Sequence, residues 1–278
     1  MFKLPPKIEP YYVYTALFVY FFSINFMVSV STVYLLSKGL TYFHVNALDS
    51  LELAIVFFLE IPTGIIGDRF GNKVSFQVSM IFRAVFYFFL TITSSFVILC
   101  AVFFILAFSE ACWSGSFTAW YIERLQKENC SEEHIRLFSN NIVLDSIAGI
   151  IAGFIGAIIA NSNIAMGYRI AAGLIILSAS MLVLIPDRRE SQCATETYTG
   201  PVKLIPDIKE IIRTAQGFFA GNDFRQWELI FPLIIGFTAV SGIDNLWQPL
   251  FLAKQSDRLI WVLGYAWVFI RLGTLATG

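Results

Sequence analysis

The feature that most constrains this chain is a series of long apolar runs, at residues 11 to 36, 45 to 66, 74 to 94, 96 to 121, 141 to 160, 164 to 185, 229 to 252 and 259 to 278. Crossing the roughly 30 Å hydrocarbon core of a bilayer takes about 20 helical residues, and each run meets that length. A bilayer offers no partner to an open backbone N–H or C=O, so such runs fold as helices that satisfy themselves. Only Thr91, Thr93, Ser94 and Ser95 separate the third run from the fourth, but the 48 residues from 74 to 121 exceed one crossing, which sets the division there. Charged residues make up 14% of the chain, against roughly 25% in a soluble domain. The fold class is therefore an all-α membrane protein with eight expected spans. The first run is too long for a signal-peptide core and ends on no small-residue cleavage site, so it is expected to be a span itself.

Lys and Arg set the orientation, because cationic loops are retained on the cytoplasmic side. With the N-terminus inside, Lys3, Lys7, Arg69, Lys73, Arg124, Lys127, Arg136, Arg188, Arg189, Lys203, Lys209, Arg213 and Arg225 are cytoplasmic, while Lys38, Arg169, Lys254 and Arg258 are outside. Thirteen, four and the two within spans, Arg83 and Arg271, account for all 19. The only long connection runs from Pro186 to Glu228. Within it Leu204, Ile208, Ile211, Ala215 and Phe218 recur at helical spacing opposite Lys203, Lys209, Glu210 and Arg213, which predicts an amphipathic helix lying on the cytoplasmic surface. Cys100, Cys112, Cys130 and Cys193 lack metal-ligand spacing and are expected to be free thiols.

Between the second and third runs the chain reads Glu60-Ile-Pro-Thr-Gly64-Ile-Ile-Gly67-Asp68-Arg69-Phe-Gly71-Asn72-Lys73. This resembles the loop motif G-x-x-x-D-R-x-G-R-[RK] between the second and third helices of major facilitator superfamily transporters, with Asn72 in place of the usual Arg. Six helices, a long cytoplasmic linker and further helices also match that family's plan, two six-helix halves related as parallel repeats. The resemblance implies a complete N-terminal six-helix half (residues 1–186), a linker (187–228) and about two helices of the C-terminal half (229–278), with about four helices of a twelve-helix protein absent from this chain. It further implies that Gly64, Gly67 and Gly71 allow close helix approach. Asp68, Arg69 and Lys73 would form a gating contact between the halves, with the eleventh helix as the partner of Asp68.

Ionisable and amide groups inside spans are costly in hydrocarbon and by default face the bundle interior or a water-filled cavity. They are Asn25, Glu52, Glu60, Arg83, Glu110, Asp145, Asp244, Asn245, Gln248 and Arg271. Counting inward, Asn25, Arg83, Glu110 and Arg271 fall near the midplane and Asp145 near the cytoplasmic end. In the resembled family helices one, four, seven and ten line the central cavity, which nominates Asn25, Glu110, Trp113, Ser114, Asp244, Trp247 and Gln248 for the solute, with Arg83 and Asp145 as further pathway residues. An acid beside aromatic and amide groups suits an amphipathic or cationic solute. Glu110 has two readings: it carries a coupling proton, or it pairs with Arg83 across adjacent helices and locks the bundle.

Ser109 to Glu123 resembles the fourth helix of bacterial efflux-type members, without the Arg that many carry there. Ala111, Gly115 and Ala119 form a small-residue stripe expected to pack against a neighbour, and Gly149, Gly153 and Gly156 match the antiporter glycine motif only in part. Enzyme readings lack support, since Ser116 has no histidine in a span and the two histidines, His44 and His134, fall in predicted loops on opposite sides. No metal site, cofactor or nucleic-acid partner is expected. The sequence thus predicts a multi-pass protein of the plasma (inner) membrane that moves a small solute by alternating access, with efflux coupled to protons as the specific form. The alternative is a truncated, non-transporting membrane remnant or accessory subunit.

Overall fold

The computed structural model describes residues 9–126, 133–185, 245–253 and 260–277. Apart from Asn245 these belong to one compact unit formed by residues 1–187 and 246–278. The described elements are α1 (Glu9–Asn25), a 3-10 turn (Val28–Val30), α2 (Ser31–Ser37), α3 (Tyr42–Phe70), α4 (Asn72–Ile92), α5 (Phe96–Gln126), α6 (Glu133–Leu184), α7 (residues 245–253) and α8 (Val262–Thr277). The amphipathic linker helix and the first part of the seventh span, Asp244 included, lie outside the described residues.

Among the described residues, the first to sixth spans and the eighth appear where apolar length demands them, with two differences. The fifth and sixth form a single helical element, α6, whose ladder is interrupted at Asn163, an extended residue at φ −159° and ψ 103°. Asn163 caps the second limb, its Oδ1 accepting from Met166 N–H at 3.0 Å, so a short polar side chain makes the turn that the sequence placed at residues 161 to 163. The first span is divided into α1, the 3-10 turn and α2, although no Pro or Gly stands between Asn25 and Ser31.

At Gly71 the backbone adopts φ 98° and ψ 142°, a region almost confined to glycine, and this lets α3 end and α4 begin within one residue. Gly71→Ala is expected to cost about 1–3 kcal/mol, read as a lower thermal midpoint in detergent micelles. An unchanged midpoint would show that the turn tolerates a side chain.

Between helices the packing is supported by hydroxyl groups that donate to main-chain carbonyls. Ser109 Oγ reaches Ser79 O at 2.8 Å between α5 and α4, Ser178 Oγ reaches Ala16 O at 2.8 Å between α6 and α1, and Thr63 Oγ1 reaches Ala111 O at 3.0 Å between α3 and α5. In an apolar solvent such bonds join helices that the hydrophobic effect does not press together. Aromatic edges fill the centre, with Tyr20 of α1 against Phe76 of α4 at 5.2 Å and Phe76 against Phe117 of α5 at 5.1 Å. The second limb of α6 runs antiparallel to the first span: Tyr168 meets Tyr34 at 4.9 Å, and Ser178 reaches back to Ala16.

Contrary to the expectation of a loop, His44 lies in the first turn of α3. Its backbone N–H donates to Thr41 Oγ1 at 3.4 Å while its Nδ1 accepts from Thr41 N–H at 3.3 Å, a reciprocal helix cap that engages the ring in structure. The end of α2 is tied to the end of α4 by Lys38, whose Nζ donates to Thr93 O at 2.7 Å and lies 4.6 Å over the Tyr34 ring. Burial pushes the Lys38 ammonium below its ordinary value.

Candidate functional site

Three polar constellations lie inside the bundle. The first joins Asn25 of α1, Asp145 of α6 and Arg271 of α8. Asn25 Nδ2 donates to Asp145 Oδ1 at 2.8 Å, Arg271 donates to Asp145 Oδ2 at 2.8 Å, and Arg271 also donates to Asn25 Oδ1. The guanidinium lies 4.9 Å over the Trp267 ring, whose Nε1 donates to Gly149 O at 3.0 Å. Trp247 of α7 stacks on Trp267 at 6.4 Å and 15°. One acid, one base and one amide thus satisfy each other beside two parallel indoles, a neutral arrangement that can persist in a low-dielectric interior.

This constellation depends on the glycines of α6. A Cβ on Gly149 would stand 3.0 Å from Arg271 Nε, and one on Gly153 would stand 2.0 Å from Trp267 Cδ1. On the neighbouring face a Cβ on Gly156 would stand 1.6 Å from the carbonyl oxygen of Phe26. The glycines therefore serve close approach, with Gly149 and Gly153 seating α8 and Gly156 seating the first span.

Asp145 was expected near the cytoplasmic end. The structure bonds it to Asn25 and Arg271, which the same count set near the midplane.

The second constellation is the pair Arg83–Glu110, formed between α4 and α5 as the locking alternative anticipated. Arg83 is only 9% exposed, and its Nε has no hydrogen-bond partner among the described residues. Glu52 of α3 stands within the electrostatic reach of both Arg83 and Glu110. Glu110 alone is bonded to the guanidinium, and Glu52 is a second carboxylate in its neighbourhood. Trp113 stacks on Phe117 one turn further along α5 (5.9 Å, 10°), and its indole Nε1 is a second buried donor without a partner among the described residues.

Gln248 of α7 supplies the third. Only 2% exposed, it inserts its carboxamide into the division of the first span. Oε1 accepts from Thr32 N–H at 2.9 Å and Val33 N–H at 3.4 Å, while Nε2 donates to Val28 O at 2.9 Å and Ser31 Oγ at 3.4 Å.

At the α3–α4 turn, Lys73 is buried and donates to Ile185 O at the end of α6, where the helix dipole favours a cation. Arg69 is exposed and lies over the Phe70 ring at 5.6 Å, and the side chain of Asp68 lies outside the described residues. Gly67 approaches Asn72, but no described atom comes within 4 Å of a Cβ built on Gly64, so the close approach expected there is not made. Gly64 opens instead onto a groove of about 520 Å³ between α3 and α5, lined also by Glu60, Thr63, Gly67, Ser114 and Gly115. Of the small-residue stripe, Ala111 packs on Thr63, whereas Gly115 faces this groove.

The family profile described as Major Facilitator Superfamily matches residues 13–277. This chain belongs to that superfamily. It is 24% identical over 242 residues, 83% of its length, to the uncharacterised superfamily transporter YxaM of Bacillus subtilis (strain 168), of which it spans 57%. Its backbone superposes on the crystal structure of the nucleoside transporter NupG with a TM-score of 0.71 at 16% identity, covering 96% of this chain and 64% of NupG. A single-residue mutant of NupG superposes at 0.61. The chain thus spans less than two thirds of each of these relatives, and the likeness to NupG is one of fold.

Of the superfamily positions nominated from sequence, the structure joins Asn25 to Asp145 and Arg83 to Glu110, and sets Trp247 and Gln248 on one short helix facing the first span. Arg271 and Glu52 stood among the intramembrane groups but were not carried forward as site residues. The spacing Trp267-x-x-x-Arg271, one turn that stacks a cation on a ring, was the available signal for the former.

Proposed function

We propose that the chain forms the N-terminal part of a secondary transporter that moves a small solute across the plasma membrane by alternating access, with its N-terminus in the cytoplasm. The observation that carries this reading is the Asn25–Asp145–Arg271 constellation, because it joins the first and fifth spans to the eighth inside the membrane. On the domain reading of residues 1–186, 187–228 and 229–278, that places the junction between the two halves that rock, where transporters of this architecture bind solute. The parallel indoles of Trp247 and Trp267 suit a planar or cationic solute, in keeping with drug or metabolite efflux. The groove at Gly64 and Gly115 is read as the seat of a helix from the other half, with Asp68 as its latch.

Proton coupling is assigned to the second constellation, since Glu110 is paired with Arg83, Glu52 lies in their neighbourhood, and an intramembrane acid is a functional-site candidate by default. The test is solute flux in proteoliposomes, with organic cations, antibiotics and nucleosides as the panel. Glu52→Gln and Glu110→Gln are expected to abolish accumulation driven by a pH gradient while leaving exchange of solute down its own gradient. Undiminished accumulation in both variants would remove the proton assignment, and no flux of any solute in the wild type would remove the transporter reading.

A further inference from the structure

At the division of the first span Asn25 Nδ2 turns back to Phe21 O at 2.8 Å and Ser31 Oγ to Val28 O at 3.1 Å, bonds too local to hold α7. The segment Phe26-Met-Val-Ser-Val-Ser31 holds neither Pro nor Gly, and Val and Met continue helices readily in an apolar setting. Sharp departures of a helix otherwise arise where a side chain enters the i to i−4 hydrogen-bond ladder. Gln248 does this. In a continuous helix Thr32 N–H would donate to Val28 O. Here the carboxamide of Gln248 stands between those two atoms, Oε1 taking the Thr32 N–H at 2.9 Å and Nε2 giving its own hydrogen to Val28 O at 2.9 Å. Val33 N–H, the next donor in the ladder, also turns to Oε1. The rung is lengthened by one side chain, and each freed main-chain group keeps a partner, as a buried helix requires.

We propose that Gln248 is a removable wedge. With the carboxamide inserted, the first span is divided and α7 is held against it. With the carboxamide withdrawn, the Thr32 to Val28 rung closes, α2 extends toward α1, and the end of the first span at Ser37 parts from α7. In the inserted state the carboxamide and the main chain satisfy each other, and in the withdrawn state the main-chain rung closes while water entering between the parted helices meets the carboxamide, so that a force on α7 selects between them. The bonds recorded to Gln248 run to main chain and to the Ser31 hydroxyl, so among the described residues no charged group holds it. Within the transport cycle proposed above, on which this consequence rests, the inserted state closes the outer side between the first and seventh spans.

Ser37 and Ala253 are exposed and line one groove at this end of the bundle, and a spin label on each reports the separation of α2 from α7. The measurement uses the full chain in nanodiscs with the four native cysteines replaced. The informative variants are Gln248→Leu and Gln248→Glu. A protonated glutamic acid retains one acceptor and one donor and can serve as the wedge, whereas the ionised form presents only acceptors to Val28 O and cannot. The wild type is expected to give a dominant short distance in acidic and alkaline buffer alike. Gln248→Leu should give the long distance in both, and Gln248→Glu the short distance in acid and the long one in alkali, reversibly. The reversible response separates a wedge from a packing residue, because a misfolded variant does not recover on acidification. Short distances throughout for both variants, or a Gln248→Glu distribution that ignores pH, would overturn the wedge. The readout is a distance, so it holds whether or not any solute in the flux assay is carried.

Discussion

Gly156→Ala is expected to destabilise the bundle by roughly 3 kcal/mol, at the upper end of overpacking penalties. The added methyl would stand 1.6 Å from the carbonyl oxygen of Phe26, and main chain cannot swing aside as the end of a flexible side chain can. Phe26 is moreover the residue at which the first span departs from helix, so the displaced carbonyl lies next to the division that Gln248 enters. Gly173→Ala is the control, with nothing within 4 Å of its built Cβ and a helix-propensity gain of about 1 kcal/mol. Thermal unfolding followed by circular dichroism in micelles should place the first variant well below the wild type and the second level with it or above. Equal midpoints for the two would refute the close approach of α6 to the first span.

A second large effect is expected at the Asn25–Asp145–Arg271 constellation. Removing one member of a buried ion pair costs about 3–5 kcal/mol, chiefly because the remaining charge loses its partner. Arg271→Met strands Asp145, and Asp145→Asn strands Arg271. The double variant removes both charges and keeps the volume, so it should recover most of the loss and give a large favourable coupling in a double-mutant cycle. Additive losses would mean that the two side chains do not meet in the membrane. The same cycle at Arg83 and Glu110 should also show coupling, reduced by Glu52, which can take over as counter-charge.

Much of this architecture was legible because a bilayer permits so few solutions. Span length fixed the helices, Gly71 marked the turn between α3 and α4, and a polar cluster at Asn161-Ser-Asn163 marked the reversal in α6. The Arg83–Glu110 pair could be anticipated because two opposite charges at similar depth on successive spans have little else to bond. The remainder depended on long-range contacts that no local pattern encodes. The side chain that fills the gap in the first span's ladder belongs to a glutamine 216 residues beyond Thr32. Counting residues inward set Asp145 apart from Asn25 and Arg271, yet the three side chains meet, because a count along one helix carries no information on how neighbouring helices are staggered. At Gly64 a motif glycine suggested contact but borders a groove, since a missing side chain allows approach without requiring it.

The hydroxyl bonds between helices are asymmetric: Ser109, Ser178 and Thr63 must each keep a donor, while Ser79, Ala16 and Ala111 contribute only a carbonyl that any amino acid would supply. The hydrogen-bonding half of each joint on the acceptor side is therefore independent of side-chain chemistry, although Ala16, Ser79 and Ala111 are buried and must stay small. A bundle fastened in this way can exchange most of its lipid-facing residues, and small acceptor residues for one another, without losing these bonds, which is one physical route by which a backbone stays superposable on a relative at 16% identity.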